Sequence, residues 1–366
     1  MPRPDRRTLL VYGGYAVAFL VVALANVLAL PPLVRFGAAV IGLAGGAIAV
    51  GESVERLSQR LSPAATGVVQ AVLGNLPELF LAIFALKAGL LQVAAAALVG
   101  SVLGNALFVL GLATLIGGLR HGKLTFSAAA NRLYATELLL GVAALTIPFL
   151  ATQPGAPDFG HAQELSAVVA VVLLALFVAS VPISLRLSTG APAAKPHVPD
   201  DDEAHPDVPR PLTQTLVLLG VSAGSAAIVA DWFVEALQPA MAAIGMSESF
   251  AGLIVVALAS NAVENLAGVT SAAKGRGDLS MSLILNSALQ IVLFLAPVIV
   301  LLSFFVAPVP LTLILSPLLL GTLAVSVLLV IFIVDDGEAD AFEGAMLLGL
   351  YAIIAAAVWW GPPIGS

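Results

Sequence analysis

Two glutamates lie in the middle of long apolar stretches of this chain. Glu78 stands in the segment GNLPE and Glu264 in the segment SNAVEN. A carboxylate at the centre of a bilayer costs roughly 2.5–3.5 kcal/mol on insertion scales, so it is retained either for a function or as a protonated acid hydrogen-bonded in a helix interface. Because the two segments are related, the sequence favours one shared functional site.

Polar residues surround both glutamates in the same register. Each glutamate follows an asparagine by three residues, and each asparagine precedes a serine by 26 residues. Residues three or four apart share one face of a helix, so each half would offer an amide, a carboxylate and further oxygens to one point. These supporting residues are Asn75, Ser101 and Asn105 in the first half, and Asn261, Ser287 and Gln290 in the second.

The residue types predict a site for a hard cation. Ca²⁺ binds about six to eight oxygens from carboxylates, carbonyls and water, whereas Zn²⁺ and copper prefer His or Cys. The chain has no cysteine, and its four histidines lie outside the predicted spans or at their edges. Ca²⁺ is therefore expected as a transported substrate. For the serine, asparagine and glutamine residues, the alternative is hydrogen bonding that holds the helices together.

Pro77, directly before the first glutamate, has two interpretations. It lacks a backbone donor and is predicted to free a carbonyl near Leu73 as a further ligand. The alternative is a plain kink in the helix.

A second tier of acidic residues occupies corresponding places in the two halves. Glu52 and Glu55 lie at the predicted cytoplasmic end of the second helix, and Asp231 and Glu235 towards the opposite end of the seventh. We predict roles at the entrances or in the proton path for these four residues. Interfacial snorkelling or a salt bridge such as Glu55 with Arg56 is the alternative.

Membrane helices must position these residues. Of 366 residues, 60% are hydrophobic and 10% charged, and the mean hydropathy is +1.06. Apolar runs of about 20 residues favour helices over a β-barrel. The first run is interpreted as a retained helix, because no small-residue cleavage site follows it. The fold class is thus an all-α polytopic membrane protein with eleven spans, predicted at 9–30, 33–56, 63–87, 91–118, 127–151, 163–186, 212–237, 248–273, 279–304, 308–334 and 340–360.

The basic residues predict the orientation of the chain. With a cytoplasmic N-terminus, thirteen Lys and Arg residues fall on the inside and only Arg35 and Lys87 outside, as the positive-inside rule requires. The C-terminus is then outside. The third helix runs outward and the eighth inward, so the two halves are inverted repeats. This arrangement is typical of secondary transporters with a site at the midplane.

One polar segment separates the two halves. Residues 188–211 are rich in proline and acidic residues and predict a solvated cytoplasmic linker. A Ca²⁺-sensing element built on its acidic run is the alternative. The predicted domains are residues 1–31 with the N-terminal cytoplasmic segment and first helix, 32–187 with the first five-helix repeat, this linker, and 212–366 with the second five-helix repeat.

Both motif regions resemble the α-repeats of the cation/Ca²⁺ antiporter superfamily, and specifically its Ca²⁺/H⁺ exchanger branch. The resemblance covers nearly the whole chain and is strongest in GNLPELFLAIFALKAGLL, GSVLGNALFVLGLATLIGGLRHG and SNAVENLAGVTSAAKGRGDLSMSLILNSALQ. It implies one N-terminal helix plus two inverted five-helix repeats, with Glu78 and Glu264 as ion-binding residues and the six supporting residues as ligands. Two departures stand out. The exchangers usually have His where this chain has Asn265, and Pro77 is also found in the Na⁺/Ca²⁺ exchanger branch.

The predicted function is Ca²⁺/H⁺ antiport, in which Ca²⁺ and protons compete for Glu78 and Glu264. Na⁺/Ca²⁺ exchange is the alternative. No enzymatic motif such as HExxH is present, and no cofactor is expected. With a net charge of −7 and scattered basic residues, no nucleic-acid partner is expected. The expected partners are the lipid bilayer, Ca²⁺ and H⁺, with the oligomeric state left open. The predicted location is the bacterial inner membrane.

Overall fold

The structure, a computed structural model, describes residues 6–156, 159–188 and 211–360. In these ranges ten helices are long and apolar enough to cross a membrane, and a pair bent by 65° forms an eleventh span. The first half contains α1 (Arg6–Val27), α2 (Pro32–Ser58), α3 (Ala65–Lys87), α4 (Leu91–His121), α5 (Ala128–Ala151) and α6 (Ala162–Ser188). The second contains α7 (Leu212–Ile244), α8 (Glu248–Ser260 with Ala262–Ala273), α9 (Gly277–Val306), α10 (Pro317–Val334) and α11 (Ala341–Trp359). The predicted fold class is confirmed, whereas the linker lies almost wholly outside the described residues.

Polar caps fix where several helices begin. The hydroxyls of Ser127, Ser247 and Ser316 accept backbone N–H groups at the starts of α5, α8 and α10. Asp340 and Glu343 form a reciprocal capping box at the start of α11. Such caps satisfy N–H groups that have no partner within the helix, which matters at the edge of a bilayer.

α3 and α8 are both broken at the predicted asparagines. Asn75 (φ −90°, ψ 16°) and Asn261 (φ −86°, ψ 22°) have nearly identical non-helical conformations. The Leu73 carbonyl accepts the N–H of Asn75, so the predicted freeing of this carbonyl by Pro77 is wrong. The second half breaks in the same way with Val263 at the position of Pro77, so a break of this kind can form without a proline.

α10 begins nine residues later than predicted, at Pro317 rather than 308. Pro308 and Pro310 cannot donate to a helix, and residues 311–315 have no regular secondary structure and alternate in burial. Leu311 donates its N–H to the Ser303 hydroxyl at 2.8 Å, and Leu313 donates to Ser166 at 3.0 Å. Non-helical backbone near the membrane is tolerated here because buried protein groups satisfy it.

A two-stranded antiparallel sheet, absent from the sequence prediction, joins the two halves. β1 (Lys123–Thr125) follows α4, and β2 (Glu338–Asp340) precedes α11. Strands of three residues carry too little alternation to stand out in a sequence. We call this sheet the clasp.

A third connection meets the clasp on the same side of the molecule. Arg120 and His121 at the end of α4 contact the Ala273 carbonyl at the end of α8. The Asp278 carboxylate, at the start of α9, accepts the Ser127 N–H at 2.6 Å. The α4–α5, α8–α9 and α10–α11 connections therefore share one membrane face, as the predicted topology requires. We call it the clasp face.

Candidate cation-binding site

The two helix breaks bring the eight predicted ligands to one place between the halves. α3 supplies Asn75 and Glu78, and α8 supplies Asn261 and Glu264 from the segment after its break. The neighbouring helices α4 and α9 supply the other four, Ser101, Asn105, Ser287 and Gln290. Short π-helical stretches lie beside all four helical contributions, at Gln70–Gly74, Gly104–Val109, Ala251–Val256 and Ile291–Leu295. Such π-turns occur frequently at functional sites.

Three hydrogen bonds connect the halves across the site. The Asn75 amide donates to the Gln290 side-chain oxygen at 3.3 Å. Asn105 donates to the Ser287 hydroxyl at 3.1 Å, and Asn261 donates to the Ser101 hydroxyl at 2.9 Å. Each bond pairs one half with the other, so the site exists only at their interface.

The asparagine amides are oriented by their own helices. The amide nitrogens of Asn75, Asn105 and Asn261 each donate to the carbonyl four residues earlier, at 2.8, 3.0 and 2.9 Å. Because the nitrogen is fixed in this way, the amide oxygen of each is directed elsewhere. Within the described residues the buried oxygens Asn105 Oδ1 and Glu78 Oε2 have no hydrogen-bond partner. Buried acceptors of this kind require a proton donor or a cation.

Both glutamates are largely enclosed by the protein. Glu78 is 8% exposed, and Glu264 keeps more accessible surface. They are close enough to interact electrostatically. The site therefore contains two largely enclosed carboxylates that face each other across the halves.

Ser260 is a site residue that the sequence prediction missed. It is 2% exposed and lines the same cavity as Glu78 and Ser101. By the register that equates Asn75 with Asn261, Ser260 corresponds to Gly74, so no repeated residue type marked it. Its place immediately before Asn261 was the available signal.

The second tier lies on α2 and α7 and lines no part of the cavity beside Glu78. Glu52 is buried and pairs with Arg56 at 2.8 Å, and Arg56 also donates to Thr8 of α1. Glu235 is exposed and lies 3.9 Å from Arg35. Asp231 is exposed and Glu55 partly so. For Glu52 and Glu235 these contacts match the salt-bridge alternative.

The donor set defines the chemistry that the site can support. Within the described residues no group of three or more His, Cys, Asp and Glu side chains could hold a metal ion. The site instead combines two carboxylates with amide and hydroxyl oxygens. This set fits a hard, oxygen-seeking cation that also has to leave, because neutral oxygens bind it less tightly than further charges would.

Known proteins are similar to this chain in sequence and in fold. A family model described as sodium/calcium exchanger protein matches residues 31–186 and 214–360. The chain is 35% identical to a Ca²⁺/H⁺ antiporter of Synechocystis over 86% of this chain and 88% of that protein. It is 31% identical to the Ca²⁺/H⁺ antiporter ChaA of Bacillus subtilis over 89% and 92% of the two chains. The solved structure of native YfkE superposes with a TM-score of 0.80 at 27% identity, covering 95% of this chain and 99% of the other.

The chain therefore belongs to the sodium/calcium exchanger family of membrane antiporters. Within that family it matches the Ca²⁺/H⁺ exchanger branch, which confirms the resemblance found in the sequence.

Proposed function

We propose that this protein is a secondary active antiporter that exchanges Ca²⁺ for H⁺ at the site between Glu78 and Glu264. The observation that carries the proposal is the pairing of two carboxylates between the halves, beside hydrogen bonds from Asn75, Asn105 and Asn261 to the opposite half. The names of the relatives in Synechocystis and Bacillus subtilis support the same pair of ions.

Competition for the same oxygens would enforce the exchange. A carboxylate that holds a proton has lost the charge that attracts Ca²⁺, and a carboxylate bound to Ca²⁺ excludes the proton. The Asn75, Asn105 and Asn261 oxygens, with Ser101, Ser287 and Gln290, would complete the Ca²⁺ shell. If the halves open alternately towards the two sides of the membrane, each return step carries protons instead of Ca²⁺.

Na⁺/Ca²⁺ exchange is the second candidate, favoured by Pro77 and by the breadth of the family. Two features count against it. Asn105 and Gln290 are neutral where a Na⁺-coupled site would be expected to carry more charge, and the similar antiporters named above are proton-coupled. Because Asn265 replaces the histidine of the branch, proton dependence would have to come from the glutamates themselves.

Ca²⁺ flux in sealed vesicles tests the proposal. An imposed pH gradient should drive uptake of labelled Ca²⁺ without Na⁺, and a protonophore should abolish it. The apparent KM for Ca²⁺ should rise at acid pH, with a smaller effect on the maximal rate, because protons and Ca²⁺ compete. Uptake that requires a Na⁺ gradient and ignores the pH gradient would establish the second candidate instead.

The location and layout of the chain are part of the proposal. We place it in a bacterial inner membrane with a cytoplasmic N-terminus, so that the clasp face is cytoplasmic. The division into residues 1–31, 32–187, 188–211 and 212–366 is proposed on the same grounds.

A further inference from the structure

The hydroxyl of Ser260 is held less firmly than the hydroxyls of serines that only support their helix. Ser271, Ser303 and Ser326 donate to carbonyls of their own helices at 2.8, 2.6 and 2.6 Å. The comparable bond of Ser260, to the Ala257 carbonyl, is 3.4 Å long, which is beyond the usual range for a hydroxyl donor. Ser260 is nonetheless only 2% exposed. Its hydroxyl is therefore buried without a strong bond to its own helix.

The neighbouring asparagine does not hold this hydroxyl either. The Asn261 amide has two N–H groups and three acceptors within reach. It donates at 2.9 Å to the Ala257 carbonyl and at 2.9 Å to the Ser101 hydroxyl. Its contact with the Ser260 hydroxyl is longer, at 3.3 Å. Because the two shorter bonds use both N–H groups, the Ser260 oxygen keeps a lone pair for another partner.

The Ser260 side chain lies beside the Glu78 carboxyl of the opposite half. The two side chains interact, and both line one cavity together with Ser101. Glu78 Oε2 is buried there without a hydrogen-bond partner among the described residues. A loosely held hydroxyl and an unpartnered carboxylate oxygen thus border the same cavity, and a cation between them would satisfy both.

The first half of the chain does not repeat this hydroxyl. The register that equates Asn75 with Asn261 places Gly74 at the position of Ser260. Gly74 has no side chain, and a Cβ added there would meet nothing within 4 Å. The eight predicted ligands are therefore joined by one oxygen that the internal repeat does not duplicate.

We propose that Ser260 is a specificity-determining ligand whose hydroxyl oxygen coordinates the cation beside Glu78 and favours Ca²⁺ over Mg²⁺. This inference rests on the proposed function, because it concerns the same cation site. Ca²⁺ accepts about six to eight oxygens in a flexible geometry, whereas Mg²⁺ takes about six at shorter distances and keeps several of its waters. An additional oxygen that can adjust its position therefore benefits the larger ion, while Mg²⁺ can fill the same place with water.

Calorimetric titration of the purified protein with Ca²⁺ and with Mg²⁺ tests this role. Ser260→Ala should raise the Kd for Ca²⁺ by roughly three- to tenfold, the effect of about one polar contact, and leave the Kd for Mg²⁺ unchanged. Ser260→Gly, which copies the first half, should behave like Ser260→Ala. Ser260→Thr keeps the hydroxyl and should retain the preference of the wild type for Ca²⁺.

Ser271→Ala is the matched control, because Ser271 lies on the same helix and its hydroxyl donates to the Ala267 carbonyl at 2.8 Å. This variant should have a lower melting temperature and unchanged Kd values for both ions. Ser260→Ala should show the reverse, with a melting temperature close to that of the wild type when no cation is present.

The outcomes separate this inference from the proposed function. An unchanged Kd for Ca²⁺ in Ser260→Ala would overturn the inference, and so would equal losses for Ca²⁺ and Mg²⁺. In either case proton-driven Ca²⁺ uptake by the wild type would leave the proposed function standing. If the wild type binds Ca²⁺ with the expected dependence on Ser260 but moves none of it against protons in vesicles, the proposed function fails and the ligand assignment stands.

Discussion

The two helix breaks share their local structure and differ in their surroundings. At both, an asparagine leaves the helix with almost the same backbone angles and donates its amide to the carbonyl four residues earlier. Both glutamates are largely enclosed, and the breaks differ in how the preceding segments pack. The N-terminal segment of α8 is packed tightly on α4, whereas that of α3 leaves room beside Gly67 and Gly74.

This difference shows which features belong to the repeat and which to the conformation. Ligand types and backbone breaks are encoded twice in the sequence and occur twice in the structure. Tight packing on the neighbouring helix is present once, at Gly252 of α8, whereas a Cβ added at Gly67 or Gly74 of α3 would meet nothing within 4 Å. A repeated sequence thus produces a structure whose packing is not symmetric.

Removing either carboxylate should give the largest effect. Glu78→Gln and Glu264→Gln each remove one of two charges, at roughly 2–3 kcal/mol per charged contact or about a 100-fold loss of Ca²⁺ affinity. Proton-driven uptake of Ca²⁺ into vesicles should fall to background in both. The double variant should be no worse than either single one, because the pair acts as a unit.

Glu235→Gln serves as the control, since Glu235 is exposed on α7 and lies outside the site. It should retain near-normal uptake. Near-normal uptake by Glu78→Gln or Glu264→Gln, with the protein inserted and folded, would contradict the assignment of the site.

Most residues of the site could be predicted from the sequence, whereas the packing of the helices around them could not. Repetition of Asn, Glu and Ser at fixed spacing identified six of the eight residues, and Asn105 and Gln290 were found by their helical spacing from the two serines. Ser260 was not predicted, because the corresponding residue of the first half is Gly74 and the serine is therefore not repeated. The tight packing of Gly252 against α4 could not be inferred, because it depends on how the helices meet, which is a tertiary property.

The predicted helix boundaries were wrong where polar side chains, and not helical hydrogen bonds, satisfy the backbone. The start of α10 was misplaced because side chains satisfy the backbone before it: Ser303 at the end of α9 accepts the Leu311 N–H, and Ser166, 147 residues earlier than Leu313, accepts the Leu313 N–H. The clasp was missed because its pairing joins residues more than 200 positions apart. Apolar runs alone show neither arrangement.

Replacing the asparagine at either helix break should have an intermediate effect on Ca²⁺ affinity, and the two effects should differ in size. Asn261→Ala loses a buried bond of 2.9 Å to Ser101, whereas Asn75→Ala loses a longer bond of 3.3 Å to the partly exposed Gln290. One such bond is worth about 1 kcal/mol, so Asn261→Ala should weaken Ca²⁺ binding by roughly five- to tenfold and Asn75→Ala by less. Titration calorimetry of the purified variants measures both. An equal or reversed ranking would show that the length and burial of these two bonds do not determine how much each asparagine contributes to Ca²⁺ binding.

The smallest effect is expected at the clasp, where the halves are joined by exposed charges. Lys123 pairs with Glu338, and both side chains are about half exposed, at 54% and 41%. Pairs of this kind contribute little, so Lys123→Gln should lower the melting temperature by only roughly 1–2 °C.

The hydrogen bond and charge of Glu338 raise the pKa of the Lys123 ammonium from its ordinary 10.5. A raised pKa stabilises the folded protein at every pH below the unfolded value, and the gain is lost only as pH rises through the folded value. The difference in melting temperature between wild type and Lys123→Gln should therefore stay constant from about pH 6 to pH 9 and vanish only in strong alkali.

Leu124→Ala is the matched comparison, because Leu124 is 1% exposed beneath the same strand and its loss should cost about 2–5 kcal/mol at any pH. If Lys123→Gln destabilised the protein as much as Leu124→Ala, the clasp would depend on its charges and not on its buried face.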